Sequence, residues 1–102
     1  MQIKYKLNGN TMIVILDGEL DEYTANYVRS SMDKLIDNNK FSKLVIDMSE
    51  LSFMDSTGVG VLIGRYKKLK NYHAQMYIAN PNATIERIFK MSGLYEIMPK
   101  IG

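Results

Sequence analysis

Two stretches near the start of the chain carry apolar residues in patterns typical of β-strands. In residues 3–7 apolar side chains occupy every second position, which predicts a half-buried strand. The apolar run Met12 to Leu16 predicts a second strand, and Asn8-Gly9-Asn10 between the two is a strong turn signal. We therefore expect an antiparallel hairpin, which Gly18-Glu19-Leu20-Asp21 ends.

Apolar residues then recur at helical spacing in two longer segments. The first helix is predicted to begin at Thr24 and to stop at Asp37-Asn38-Asn39, and the second to run from about Thr57 to Lys70. The apolar positions expected to face the core are Ala25, Val28, Met32, Leu35 and Ile36 in the first helix, and Val59, Leu62, Ile63, Tyr66 and Leu69 in the second.

Short apolar runs lie between and after these helices. Leu44-Val45-Ile46 and Met76-Tyr77-Ile78-Ala79 are predicted to be strands, because runs of this length with β-branched residues are typical of buried strands. The first of them leads into a polar loop in which Leu51 and Phe53 are expected to turn inward. The tail Leu94 to Met98 is interpreted as a last short strand.

A third helix follows Asn80, which can cap it, with Pro81 at its first position. Gly93 marks its end. Its apolar positions are Ile85, Ile88, Phe89 and Met91. Strands that alternate with helices favour parallel pairing through right-handed crossovers, and the hairpin adds an antiparallel edge. The order β-β-α-β-α-β-α thus predicts a small α/β domain with a mixed sheet.

Composition narrows the classes of protein to which the chain could belong. A length of 102 residues fits one domain, and 46% apolar and 24% charged residues are ordinary for a globular protein. The net charge of +2 is too small to indicate a nucleic-acid partner. The absence of cysteine excludes disulfides and thiolate metal sites and fits a cytoplasmic location. No run is long enough to cross a membrane, so we expect no membrane partner.

The segment from Phe53 to Gly60 carries the most distinctive chemistry, because Asp55, Ser56 and Thr57 lead directly into the second helix. Oxygens at such a junction hold the free N–H groups of the first helical turn, and the turn can also tolerate an anion. Ser56 is therefore either a helix cap or an exposed phosphoacceptor. A catalytic serine is disfavoured, since Met54 replaces the first glycine of Gly-x-Ser-x-Gly and no base is apparent.

Other residues around this segment leave alternatives open. Gly58 and Gly60 either permit close packing inside the domain or present bare backbone to an external partner. Glu19, Asp21, Asp47 and Asp55 are interpreted as solvated loop acids or caps, with metal ligation as the alternative. We expect Asp21 to reach the same edge of the sheet as Asp47 and Asp55 if their strands are parallel. Arg65 and the neighbouring lysines form a basic helix end, which is solvated or lies in an interface.

The chain resembles a known family in four places. The segment Leu44 to Leu62, LVIDMSELSFMDSTGVGVL, is similar to the signature of STAS domains in bacterial anti-sigma-factor antagonists. Gly18-Glu19-Leu20-Asp21 and Met91-Ser92-Gly93-Leu94 resemble that family's second and third blocks, and Gly64-Arg65-Tyr66-Lys67 resembles its sporulation member. The resemblance implies one STAS domain over residues 1–102, with a four- to five-stranded mixed sheet and helices mainly on one face.

The resemblance also implies a function. Members of the family bind an anti-sigma factor that is also a serine kinase, release the sigma factor, and are switched off by phosphorylation until a PP2C-type phosphatase resets them. Carried over by motif, the resemblance implies that Ser56 is the phosphoacceptor and that Asp21 faces the kinase. It also implies that this chain has no cofactor and is not itself an enzyme. The implied contact residues are Glu19, Asp21, Asp55, Ser56, Thr57, Gly58, Gly60 and Arg65. The alternative is a sensory or scaffold STAS module in another signalling complex.

Overall fold

The computed structural model describes all 102 residues. They form one sheet with helices packed against it. Its elements, in chain order, are β1 (Gln2–Asn8), β2 (Thr11–Leu20), α1 (Ala25–Asn38), β3 (Lys43–Asp47), β4 (Leu51–Met54), α2 (Ser56–Lys70), β5 (Gln75–Ala79), α3 (Ala83–Ser92), a 3₁₀ turn (Leu94–Glu96) and β6 (Lys100–Ile101).

The sheet is mixed, as the sequence predicts. Its strand order is β1-β2-β3-β5-β6, and β4 pairs separately with β2. Only β1 and β2 run antiparallel, and every other pair is parallel. The α/β class and the mixed sheet are thus confirmed, with six strands instead of four or five, because β4 and β6 were not predicted as strands.

One apolar core lies between the sheet and the helices. Alternate residues of the central strands enter it, among them Met12, Val14 and Leu16 of β2. In α2 the buried positions differ from the predicted face: they are Gly58, Val61, Leu62, Arg65 and Leu69. The predicted residues Val59, Ile63 and Tyr66 are only partly buried, because at about 100° per residue all three lie along one side of this stripe.

Several local predictions were wrong. β1 lies at the edge of the sheet, so Tyr5 and Leu7 are exposed instead of half-buried. The loop expected to hold Phe53 inward is strand β4, and Phe53 is 46% exposed. The tail forms a 3₁₀ turn before β6 instead of a strand over residues 94–98.

The start of α3 also differs from its prediction. Its cap is Asn82, whose side chain accepts a hydrogen bond from the Ile85 N–H at 2.9 Å. Asn80 has a positive φ of 57° and donates from its side-chain amide to Asp47 instead. The predicted end is confirmed, since Gly93 takes the left-handed conformation that commonly terminates helices.

Candidate functional site

The site is built on the part of β2 that extends beyond β3. The last residue of β2 paired with β3 is Ile15, which lies opposite Asp47, and β2 then continues past a bulge at Gly18. There it pairs in parallel with β4, with Leu20 opposite Met54. Because parallel strands end at the same edge, the residues that follow, Asp21 and Asp55, meet at one end of the sheet.

Asp55 caps α2. Its carboxylate accepts a hydrogen bond from the Gly58 N–H at 3.0 Å, and its own N–H donates to the Leu20 carbonyl at 3.3 Å. Ser56 is therefore not the cap but the first residue of the helix. Ser56 and Thr57 are both exposed, and neither hydroxyl makes a hydrogen bond within the protein. The turn thus presents two free hydroxyls to solvent.

The two glycines of this turn have different surroundings. Gly58 is buried, and a Cβ placed on it would lie 2.6 Å from the Leu20 carbonyl oxygen and 2.8 Å from the Cγ atoms of Leu20 and Met54. Gly60 is exposed, and nothing lies within 4 Å of its Cβ position. Gly58 therefore serves internal packing, whereas Gly60 leaves bare backbone on the surface, one helical turn after Ser56.

The acidic residues near the turn are positioned by the ends of the strands. Glu19 is exposed on β2. Asp21 is partly buried, and its carboxylate accepts hydrogen bonds from the N–H groups of Tyr23 at 2.9 Å and Thr24 at 3.1 Å, which shapes the entry into α1. Together with Asp55 they form an acidic border beside Ser56.

Asp47 belongs to a different part of the same end of the molecule. Its carboxylate accepts hydrogen bonds from the Ser49 N–H at 3.0 Å and the Asn80 side-chain amide at 3.2 Å. Burial alone would raise the pKa of Asp47, but these hydrogen bonds outweigh burial and hold its pKa below the usual value. Asp47 thus links the loops after β3 and β5.

Arg65 is placed inside the domain. It is only 8% exposed, and its Nε lies 2.9 Å from a carboxylate oxygen of Asp33 on α1, in an ion pair whose N–H is too poorly aligned for a hydrogen bond. Burial lowers the pKa of Arg65, and the Asp33 charge opposes that shift. The structure gives Arg65 a role in joining α1 to α2, away from the surface around Ser56.

Two aromatic side chains on this surface were not predicted. Phe53 lies opposite Glu19 in the β2–β4 ladder and is 46% exposed, and Tyr23, two residues after Asp21, is 87% exposed. The sequence contained no usable signal for Phe53, because β4 departs from alternation: Leu51 is buried but Phe53 is not. Exposed aromatic residues are enriched in protein interfaces.

The fold and the site define a small α/β domain that presents a hydroxyl-bearing helix start beside acidic and aromatic side chains. Residues 2–102 match the sequence model of the STAS domain family. The chain belongs to the STAS domain family. No helix is both long and apolar enough to span a bilayer.

Two curated relatives have similar lengths. The chain is 38% identical over 99 residues to an anti-sigma F factor antagonist of Paenibacillus polymyxa, covering 97% of this chain and 85% of the relative. It is 31% identical over 98 residues to an anti-sigma-B factor antagonist of Bacillus subtilis, covering 96% and 88%.

Solved structures agree with this assignment. The anti-sigma factor antagonist SpoIIAA in its unphosphorylated form superimposes with a TM-score of 0.82 at 27% identity, covering 99% of this chain and 89% of that chain. The phosphorylated form of SpoIIAA from Bacillus matches with a TM-score of 0.74 at the same identity, covering 99% and 92%.

Proposed function

We propose that this protein is an anti-sigma factor antagonist that binds an anti-sigma factor with serine kinase activity and thereby releases a sigma factor in the cytoplasm. The kinase transfers a phosphoryl group to Ser56, binding is lost, and a PP2C-type phosphatase restores it. The observation that carries the proposal is the Ser56 hydroxyl at the first position of α2. This hydroxyl is exposed and makes no hydrogen bond within the protein. The relatives named above support the antagonist role.

A phosphate on Ser56 is compatible with the fold. The N–H groups of Ser56 and Thr57 belong to the first turn of α2, whose N–H groups have no intrahelical acceptor, and Asp55 accepts only the Gly58 N–H there. Anions are stabilised at helix N-termini, and the exposed position does not require the phosphate to lose its water. Phosphorylation should therefore leave the scaffold intact.

The same phosphate disfavours a tight complex. The proposed docking surface consists of Glu19, Tyr23, Phe53, Ser56 and Gly60, with Asp21 and Asp55 beneath it. A phosphoserine adds about −1.5 to −2 charges beside these carboxylates. If the partner covers Ser56, the phosphate becomes a buried and unpaired charge, which costs roughly 3–5 kcal/mol.

This cost is large enough for a switch. A loss of about 4 kcal/mol weakens binding by roughly a thousandfold, since each ~1.4 kcal/mol is a factor of ten. No change of fold is needed for an effect of that size. The bare backbone at Gly60 supports close approach of the kinase on the same side of α2 as Ser56.

The decisive experiment mixes the protein with the anti-sigma kinase of the same organism, with and without ATP, and maps the modified residue by mass spectrometry. We expect a single phosphoryl group on Ser56, its loss in Ser56→Ala, and its retention in the matched control Thr57→Ala. Ser56→Asp should bind the kinase much more weakly in calorimetry, whereas Ser56→Ala should bind about as well as the unmodified protein.

Two results would overturn the proposal. Phosphate found only on another residue would remove Ser56 from the switch, and unchanged affinity of Ser56→Asp would refute the charge mechanism. Failure to bind the anti-sigma kinase, together with assembly into a large complex, would favour a scaffold role instead.

A further inference from the structure

Strand β1 gives the sheet a long free edge. It is the outermost strand and pairs only with β2, over all seven residues from Gln2 to Asn8 and without a bulge. The opposite edge strand, β6, is only two residues long. Proteins usually shorten, bulge, cover or charge their edge strands, or place proline in them, because a free edge invites pairing with another chain. Of these devices, β1 has only charge.

The backbone groups on this edge belong to Ile3, Tyr5 and Leu7. The Asn10 carbonyl accepts a hydrogen bond from the Ser42 N–H at 2.8 Å, so the backbone groups of even-numbered β2 residues point toward β3 and those of odd-numbered ones toward β1. The odd-numbered β2 residues lie opposite the even-numbered residues of β1. The N–H and C=O groups of the three odd-numbered residues of β1 therefore point outward, unpaired.

The side chains of the same three residues form an accessible apolar row. They lie on the face of the sheet that holds the core, because their partners in β2 are the buried residues Leu16, Val14 and Met12. Tyr5 is nevertheless 52% exposed and Leu7 46% exposed, so the helices do not extend over this row. An added strand would cover apolar surface as well as pair with free backbone groups.

The other face of β1 is positively charged. Lys4 and Lys6 are exposed and belong to none of the ion pairs in the protein. Two acids share this face, Asp17 on β2 opposite Gln2 and Asp47 on β3, and both lie further from the edge than the lysines. A strand added outside β1 would therefore meet two lysines directly and no acid.

These lysines disfavour a second copy of the chain as the occupant. A two-fold pairing of β1 with itself centred on Tyr5 would place Lys4 of each copy opposite Lys6 of the other. Like charges directly opposite each other on neighbouring strands are destabilising, whereas opposite charges at the same positions are favourable. The edge therefore fits a strand that carries carboxylates at these two positions.

We propose that the free edge of β1 is a docking site for an extended segment of another protein, which pairs antiparallel with β1 and alternates apolar with acidic residues. Its apolar side chains lie beside Tyr5 and Leu7, and its carboxylates lie opposite Lys4 and Lys6. Strand addition obtains affinity from main-chain hydrogen bonds and specificity from alternate side chains. The proposal goes beyond the switch described above, because it does not require phosphorylation of Ser56.

The test uses the ¹⁵N-labelled protein and a blocked synthetic pentapeptide of alternating valine and glutamate, with valine at both ends and its central valine opposite Tyr5. We expect the peptide to shift the amide signals of Ile3, Tyr5 and Leu7 and to slow their hydrogen exchange. In this register the valine amides face β1 and the glutamate amides face solvent. N-methylation of the central valine should therefore weaken binding at least about tenfold, whereas N-methylation of a glutamate should be tolerated.

A second peptide, with lysine in place of both glutamates, tests the charges. It replaces two pairs of opposite charges by pairs of like charges, so it should bind about tenfold more weakly. The double variant Lys4→Glu, Lys6→Glu should reverse this preference. The control variant Lys43→Glu changes an exposed lysine at the start of β3, two strands in from the edge, and should keep the preference for glutamate.

The proposal is overturned if Ile3, Tyr5 and Leu7 show no shift with the glutamate peptide at about 5 mM, a concentration that detects even a ~1 mM Kd. Equal binding of the two N-methylated peptides would refute the strand pairing, and equal binding of the glutamate and lysine peptides would refute the acidic partner. Self-association of the protein alone in analytical ultracentrifugation, strengthened by Lys4→Glu, would assign the edge to a second copy instead. None of these results bears on phosphorylation of Ser56.

Discussion

The substitution Gly58→Ala tests how tightly the start of α2 is packed against β2. The added Cβ would lie 2.6 Å from the Leu20 carbonyl oxygen, below the 3.0 Å that real Cβ contacts essentially never cross. That oxygen cannot move easily, because Leu20 pairs with Met54 and accepts the Asp55 N–H. The helix start must therefore shift.

The magnitude follows from two opposing effects. Overpacking of a well-packed site costs about 1–3 kcal/mol. Alanine in place of glycine in a helix recovers roughly 0.5–1 kcal/mol. We expect Gly58→Ala to lower the free energy of unfolding by about 1–2 kcal/mol, whereas the matched control Gly60→Ala, with nothing within 4 Å of its Cβ, should raise it by roughly 0.5–1 kcal/mol.

The assay is urea unfolding of the three proteins, followed by circular dichroism. If the slope of the free energy against urea is unchanged, the midpoints report stability directly. In a domain of this size, each 1 kcal/mol also moves Tm by about 4–8 °C. Equal midpoints for Gly58→Ala and Gly60→Ala would refute the close approach of α2 to Leu20.

Two further predictions concern buried and hydrogen-bonded charges. Asp33→Ala leaves the guanidinium of Arg65 buried without its partner and should lower the free energy of unfolding by about 3 kcal/mol. In the same urea assay, Arg65→Met should lower it by less than about 1.5 kcal/mol. The reverse order would contradict the ion pair. The pKa of Asp47 is lower in the folded protein than its usual value of 3.8, so its carboxylate stabilises the fold above pH 3.8. This stabilisation is lost as the pH falls through the pKa of Asp47 in the folded protein. Asp47→Asn should therefore lose less stability than the unmodified protein between about pH 5 and pH 2, and parallel pH profiles would refute the contribution.

Much of the fold could be predicted because its signals are local. The hairpin follows from alternation in residues 3–7 and the turn at Asn8-Gly9-Asn10, and the buried strands β3 and β5 follow from short β-branched runs. Helices α1 and α2 begin within one residue of their predicted starts, at Ala25 and Ser56. These features depend on hydrophobic period and turn chemistry, which a single sequence contains.

The missed elements depend on distant partners instead. β4 is a strand because β2 extends past β3 and offers it an edge, and residues 51–54 alone carry no alternation that indicates this. β6 is two residues long and exists through its pairing with Ile78 and Ala79. Asn82 and Asn80 are equally good caps by residue type, but Asn80 donates to Asp47, whereas Asn82 caps α3 and donates to carbonyls of β4.

The orientation of Ser56, the proposed phosphoacceptor, follows from the same packing that the glycine variants test. Successive helical residues are rotated by about 100°, so Ser56 lies roughly 200° around α2 from Gly58 and near Gly60. Because Gly58 must face Leu20 and Met54, Ser56 must point away from the sheet into solvent. A side chain larger than glycine at residue 58 would rotate or displace this first turn and with it the Ser56 hydroxyl. The inward glycine and the outward serine are therefore two consequences of one contact between α2 and the end of β2.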